Sequence, residues 1–127
     1  MGQCYSVYLK VKLADEKGAI NALNNFVDTY EHANFYAEEF ENEGIDRNTI
    51  EGLFRAIFGG WNFNHPKYSV DKGTISYECN FDASYGWEYV MTDGFAVLAP
   101  YASGTYKCYP DSGCTKGTIK NGVVEWK

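Results

Sequence analysis

Tyr5-Ser6-Val7-Tyr8-Leu9-Lys10-Val11-Lys12-Leu13 is the stretch whose period decides the fold. Tyr5, Val7, Leu9, Val11 and Leu13 recur at every second position, with Ser6, Tyr8, Lys10 and Lys12 between them. That alternation predicts a strand with one face buried and the other in water. Working outward, Asp15 is placed to cap a helix whose Ile20, Leu23, Phe26, Val27 and Tyr30 repeat at helical spacing, so this face lies on the sheet.

Past Tyr30 the apolar phase moves to Ala33, Tyr36, Ala37 and Phe40, which predicts a kink near residues 32–34 or a second short helix. Gly44 suits a helix C-terminus. Asn48, with Glu51 three residues on, resembles a capping box opening a helix through Ile50, Leu53, Phe54, Ile57 and Phe58. Gly59 and Gly60 close it. Tyr68 and Val70, then Ile75, Tyr77, Cys79 and Phe81, predict a hairpin turning at Asp71-Lys72-Gly73. Ser84 is the expected cap of a helix carrying Trp87, Val90, Met91, Phe95 and Leu98, ended by Pro100, with Gly94 thinning its buried face for close packing. The tail predicts strands at 105–109, 115–119 and 123–126, the last two joined by Asn121-Gly122, a strong two-residue hairpin signal.

An antiparallel sheet with helices on one face satisfies every one of these amphipathic segments. The expected architecture is therefore α+β: a ferredoxin-like β-α-β-β-α-β core, a helical insertion at about residues 31–60 and a C-terminal β-hairpin, all in one domain spanning 1–127. Two domains would leave each half without an adequate core. The N-terminal segment alternates and contains no apolar run of the length that export or membrane spanning needs, which predicts a cytoplasmic protein without a membrane partner.

The net charge of -6 belongs almost wholly to one block. Between Asp28 and Glu51 eight acids face a single base, Arg47, and Phe35, Tyr36 and Phe40 are interleaved with them. Acidic balance argues against direct duplex binding, which needs clustered Lys and Arg. Tyr101, Tyr106 and Tyr109, with Tyr85-Gly86-Trp87, are candidates for an aromatic patch on or beside the sheet of the kind that stacks single-stranded RNA, but basic residues and an RNA-recognition motif do not accompany them. Direct nucleic-acid binding is not expected.

Other chemistry finds little support. Cys4, Cys79, Cys108 and Cys114 contain no C-x-x-C unit, and alternation puts Cys4 and Cys79 on opposite sheet faces, where they cannot share an ion. Reduced thiols are expected, with a Cys108–Cys114 disulfide as the alternative, and no metal or other cofactor. His32 has Asp28 four residues before it but no nucleophile in a recognisable local motif. The spacing of Glu38, Glu39, Glu41 and Glu43 is not that of a calcium loop, and a convex helix face gives no cleft for paired-carboxylate hydrolysis. No catalytic residue is assigned.

The acidic run Glu38-Glu39-Phe40-Glu41-Asn42-Glu43, the compact helix-on-sheet core from Cys4 to Trp126 and the lack of an enzyme motif resemble the small acidic proteins of phages and mobile elements that inhibit host defence, including anti-CRISPR and antirestriction proteins. That resemblance implies a local acidic plug for the basic groove of a protein or ribonucleoprotein. The residues assigned to the contact are Glu31, Phe35, Tyr36, Glu38, Glu39, Glu41 and Glu43: carboxylates to steer, aromatics to anchor. Two other readings remain open at this stage. One is a ligand-binding domain or enzyme with a pocket rimmed by Trp61, His65 and Tyr68. The other is a homodimer through the C-terminal edge strand, with Trp126 in the contact.

Overall fold

β1 (Gly2–Leu13) is the central strand from which the architecture is built. The computed structural model describes residues 2–59, 66–110 and 113–127. After β1 come α1 (Glu16–Thr29), α2 (Glu31–Asn34), α3 (Ala37–Asn42), α4 (Ile50–Phe58), β2 (Lys67–Asp71), β3 (Thr74–Ser84), α5 (Trp87–Val97), β4 (Ala102–Pro110), β5 (Thr115–Lys120) and β6 (Val123–Trp126). The strands form one sheet in the order β2-β3-β1-β4-β5-β6, every pair antiparallel. Its first four members reproduce the ferredoxin-like arrangement, and β5–β6 extend it past β4 as a hairpin.

The register of β1 follows from burial. Tyr5, Val7, Leu9 and Val11 are buried and stand opposite Phe81, Cys79, Tyr77 and Ile75 of β3. On the other side Val7 and Leu9 meet Cys108 and Tyr106 of β4. A slip by one residue would turn all four β1 side chains into water, at a cost of roughly 6–12 kcal/mol for side chains of this size. That rivals the whole stability of an ordinary domain, about 5–15 kcal/mol. One register survives.

Helices α1, α4 and α5 contact one another over this buried face. Of the predicted insertion, only α2 and α3 are peripheral. α4 is a core helix, with Ile50, Gly52, Leu53, Phe54, Ala56, Ile57 and Phe58 all buried. It is tied to α5 by the Trp87 indole N–H, which donates to the Ile57 carbonyl at 2.9 Å. Gly94 permits this approach, because a Cβ there would stand 2.7 Å from Ile57 Cγ2.

Both hairpins turn through paired left-handed residues, Lys72-Gly73 and Asn121-Gly122, as a type I′ turn requires. Asp15 caps α1 as predicted, accepting from the Gly18 N–H at 2.9 Å. Two other predicted caps are displaced. The cap of α4 is Thr49, whose hydroxyl accepts from the Gly52 N–H at 3.1 Å, while Asn48 is exposed one residue upstream. Ser84 ends β3, opposite Gly2, and Gly86 occupies the N-cap position of α5 without a side-chain bond. Burial of Ala83 keeps the strand alternation going two residues beyond Phe81.

The proposed aromatic patch near the C-terminus also divides differently. Tyr106 is fully buried between Phe58 and Phe95, Tyr101 is half-buried at the start of α1, and Tyr109 alone of the three faces outward. Trp126 lies over Gly117, where a Cβ would approach its ring to 2.6 Å, and beside Phe95 and Tyr106. With 44% of its surface left exposed, much of this side chain is committed within its own chain.

Candidate partner-binding surface

The acidic block is presented by a deliberate break in the helical run. Tyr30 adopts extended backbone angles between α1 and α2, and its hydroxyl donates to Asp93 of α5 at 2.8 Å. Burial, then that hydrogen bond, raises the Tyr30 phenol to about 12. Asn34 braces the bend by donating to the Asp28 carbonyl at 3.1 Å. α3 ends in a Schellman motif: the Ile45 N–H donates to the Phe40 carbonyl, and the Gly44 N–H, at φ +75°, donates to the Glu41 carbonyl. Phe40 and Ile45 are buried, so this short helix is pinned by its apolar side.

The opposite side holds the assigned residues. Glu31, Glu38, Glu39, Glu41 and Glu43 are all exposed, and none forms an ion pair among the described residues. Arg47, the one base in the block, is already engaged: its guanidinium donates to Asp28 at 2.7 Å and to both the side-chain and main-chain oxygens of Asn24. The charge is therefore left unneutralised. Asp28 is consequently not the orienting partner of His32, whose Nε2 lies 3.1 Å from the Ser84 hydroxyl.

The two aromatics play unequal parts. Phe35 is 78% exposed, the most exposed large apolar side chain described. Tyr36 is half-buried and turns back to the core, with its ring 5.6 Å from Trp87 and 6.1 Å from His32. It meets Phe35 edge-on at 5.0 Å. Phe35 is thus a projecting ring on an aromatic pedestal that runs to the buried Trp87. A depression of about 690 Å³ opens here, lined by Tyr30, Glu31, His32, Phe35 and Tyr36. The exposed Tyr85 belongs to the same neighbourhood, since a Cβ at the adjacent Gly86 would sit 3.2 Å from the His32 ring. Tyr85 was visible in the sequence, but only the fold brings residues 85 and 35 to one region.

The outer sheet face has a different character. Its strand positions carry Lys10, Lys12, Lys67, Lys107, Lys116 and Lys120 against Asp71, Glu78, Asp82 and Glu125. No described helix covers it. Six bases against four acids leave this face net basic, in contrast to the acidic α2–α3 block.

No disulfide joins the cysteines. Cys4 and Cys114 are exposed; Cys79 and Cys108 are buried. The two buried residues flank Val7 on neighbouring strands, about 10 Å apart at the usual strand spacing and beyond disulfide reach. Burial pushes the Cys108 thiol up to about 11. Among the described residues no group of three or more His, Cys, Asp or Glu side chains could hold a metal ion, and no helix is long and apolar enough to cross a membrane. The pocket sought at Trp61 and His65 lies outside the described residues; Tyr68 is half-buried on β2.

Fold and surface together define an α+β protein with a ferredoxin-like sheet and an acidic helical prominence. Comparison with family models, with curated proteins and with solved structures finds no match.

Proposed function

We propose that this protein is a non-enzymatic binding module that offers the α2–α3 surface to the basic groove of a partner protein or ribonucleoprotein, as an inhibitor of a host nucleic-acid-binding defence complex would. The observation that carries the reading is Phe35, 78% exposed amid five glutamates that form no ion pair among the described residues. Carboxylates attract a basic groove at long range and accelerate encounter, but exposed charge alone contributes little affinity. A large apolar ring that loses its water on contact supplies what the charges lack. Backing by Tyr36 and Trp87 limits the freedom Phe35 has to lose.

The test is capture from host lysate at low and moderate salt, comparing the wild type with Glu38→Gln/Glu39→Gln/Glu41→Gln and with Phe35→Ala. The wild type is expected to retain a partner that the triple variant loses, with the difference shrinking as salt rises. Phe35→Ala is expected to weaken the same complex by about 1–3 kcal/mol at any salt, the range of an interface anchor. Identical profiles from all three proteins would make the acidic side an ordinary solvated face.

A further inference from the structure

The outer face of the sheet supports a second site, independent of the acidic one. Cross-strand register places Lys67, Glu78, Tyr8, Lys107 and Lys116 in one row across five strands. At about 4.8 Å per strand the row spans roughly 19 Å. Glu78, the only acid in it, is 3.9 Å from Lys67. Lys107 and Lys116, with Lys10 in the adjoining row, form no ion pair among the described residues. Tyr8 meets Tyr109 at 5.9 Å, nearly edge-on, and the two rings are 38% and 40% exposed. A depression of about 810 Å³ lies over this part of the sheet, its lining including these two tyrosines, three lysines (Lys10, Lys67 and Lys107) and one acid, Glu78.

We propose that this face binds single-stranded nucleic acid, with Tyr8 and Tyr109 stacking bases and Lys10, Lys107 and Lys116 contacting phosphates. Charge complementarity selects an anion, and the rings distinguish among anions. An acidic peptide would use the lysines and leave two tyrosines idle, whereas a single strand offers π faces and phosphates at once. An open sheet also suits splayed bases better than a duplex, whose grooves admit a helix or ribbon rather than a broad sheet face. Net charge, which argues against nucleic acid for the whole chain, averages this net-basic face with the acidic α2–α3 block.

Fluorescence anisotropy with a labelled ten-nucleotide oligouridylate at low salt tests this directly. Saturable binding is expected. Tyr8→Ala should weaken it about 5- to 150-fold, the range for one stacked base. Lys10→Gln/Lys107→Gln/Lys116→Gln should flatten the salt dependence by about 0.7 per lost phosphate contact. Tyr8→Leu, which keeps an apolar side chain on the strand, controls for misfolding alongside circular dichroism and should lose affinity while retaining the fold. The proposal is overturned by absent binding, by equal binding of a duplex or of polyglutamate, or by a correctly folded Tyr8→Leu protein that binds as the wild type does.

Discussion

Phe35 and Tyr36 are adjacent, and composition treats them alike, yet one projects into water and the other is held against Trp87. Alternation on a strand would have separated them by face; in the bend between two short helices only packing decides. The cysteines show the converse, since strand parity alone separates Cys4 from Cys79. Cys108 gives a pH prediction. Its thiol is raised from the ordinary 9.0 to about 11 by burial, so the folded state favours the protonated form. That contribution is complete below about pH 9 and is lost as pH rises through about 11. The melting temperature should fall across this window, and Cys108→Val should flatten the fall; an unchanged profile would mean that another group governs it. At pH 8, Ellman's reagent should modify Cys4 and Cys114 rapidly, and Cys79 and Cys108 only on unfolding.

At the scale of elements, most helices and strands were legible because their apolar periods are long and unbroken. Caps were less so. Asn48 and Thr49 are both good cap residues, and Glu51 three positions after Asn48 favoured the former. The Asp46 carboxylate, however, accepts the Asn48 N–H at 2.9 Å, and the Asp46 carbonyl accepts the Thr49 hydroxyl, so a local turn fixes the helix start one residue later. Thr49→Ala is therefore expected to cost about 1 kcal/mol in urea denaturation, and Asn48→Ala to remain within about 0.5 kcal/mol of wild type. The reverse ranking would restore the cap to Asn48. α4 was recognised as a helix but grouped with the acidic insertion, because an apolar period reveals that a face is buried without revealing what buries it.

For the whole molecule, the decisive feature is the uneven spread of charge between the acidic α2–α3 block and the net-basic sheet face. The acidic prominence meets the sheet at the end of β3, where His32 approaches Ser84, six residues or about 20 Å along the strand from Glu78 in the lysine row. Near 0.1 M salt the Debye length is about 10 Å, so the two faces should act independently. The triple glutamate variant is expected to bind oligouridylate within about twofold of wild type at that salt, and the triple lysine variant to leave lysate capture unchanged. Strong coupling in both directions would point instead to one shared surface.

The sequence by itself determined the order of elements, the buried faces of β1, β3 and the long amphipathic helices, the positions of both hairpins and the location of the acidic block. These are local matters, written in period, turn residues and residue counts. Tertiary structure alone decided that Phe35 rather than Tyr36 stands free, that Arg47 is spent on Asp28, that α4 completes the core, and that Tyr8 and Tyr109 share an open lysine-rich face. Each of these depends on residues far apart in sequence meeting across strands or helices, and pairwise contact, unlike periodicity, leaves no trace in a single chain read end to end.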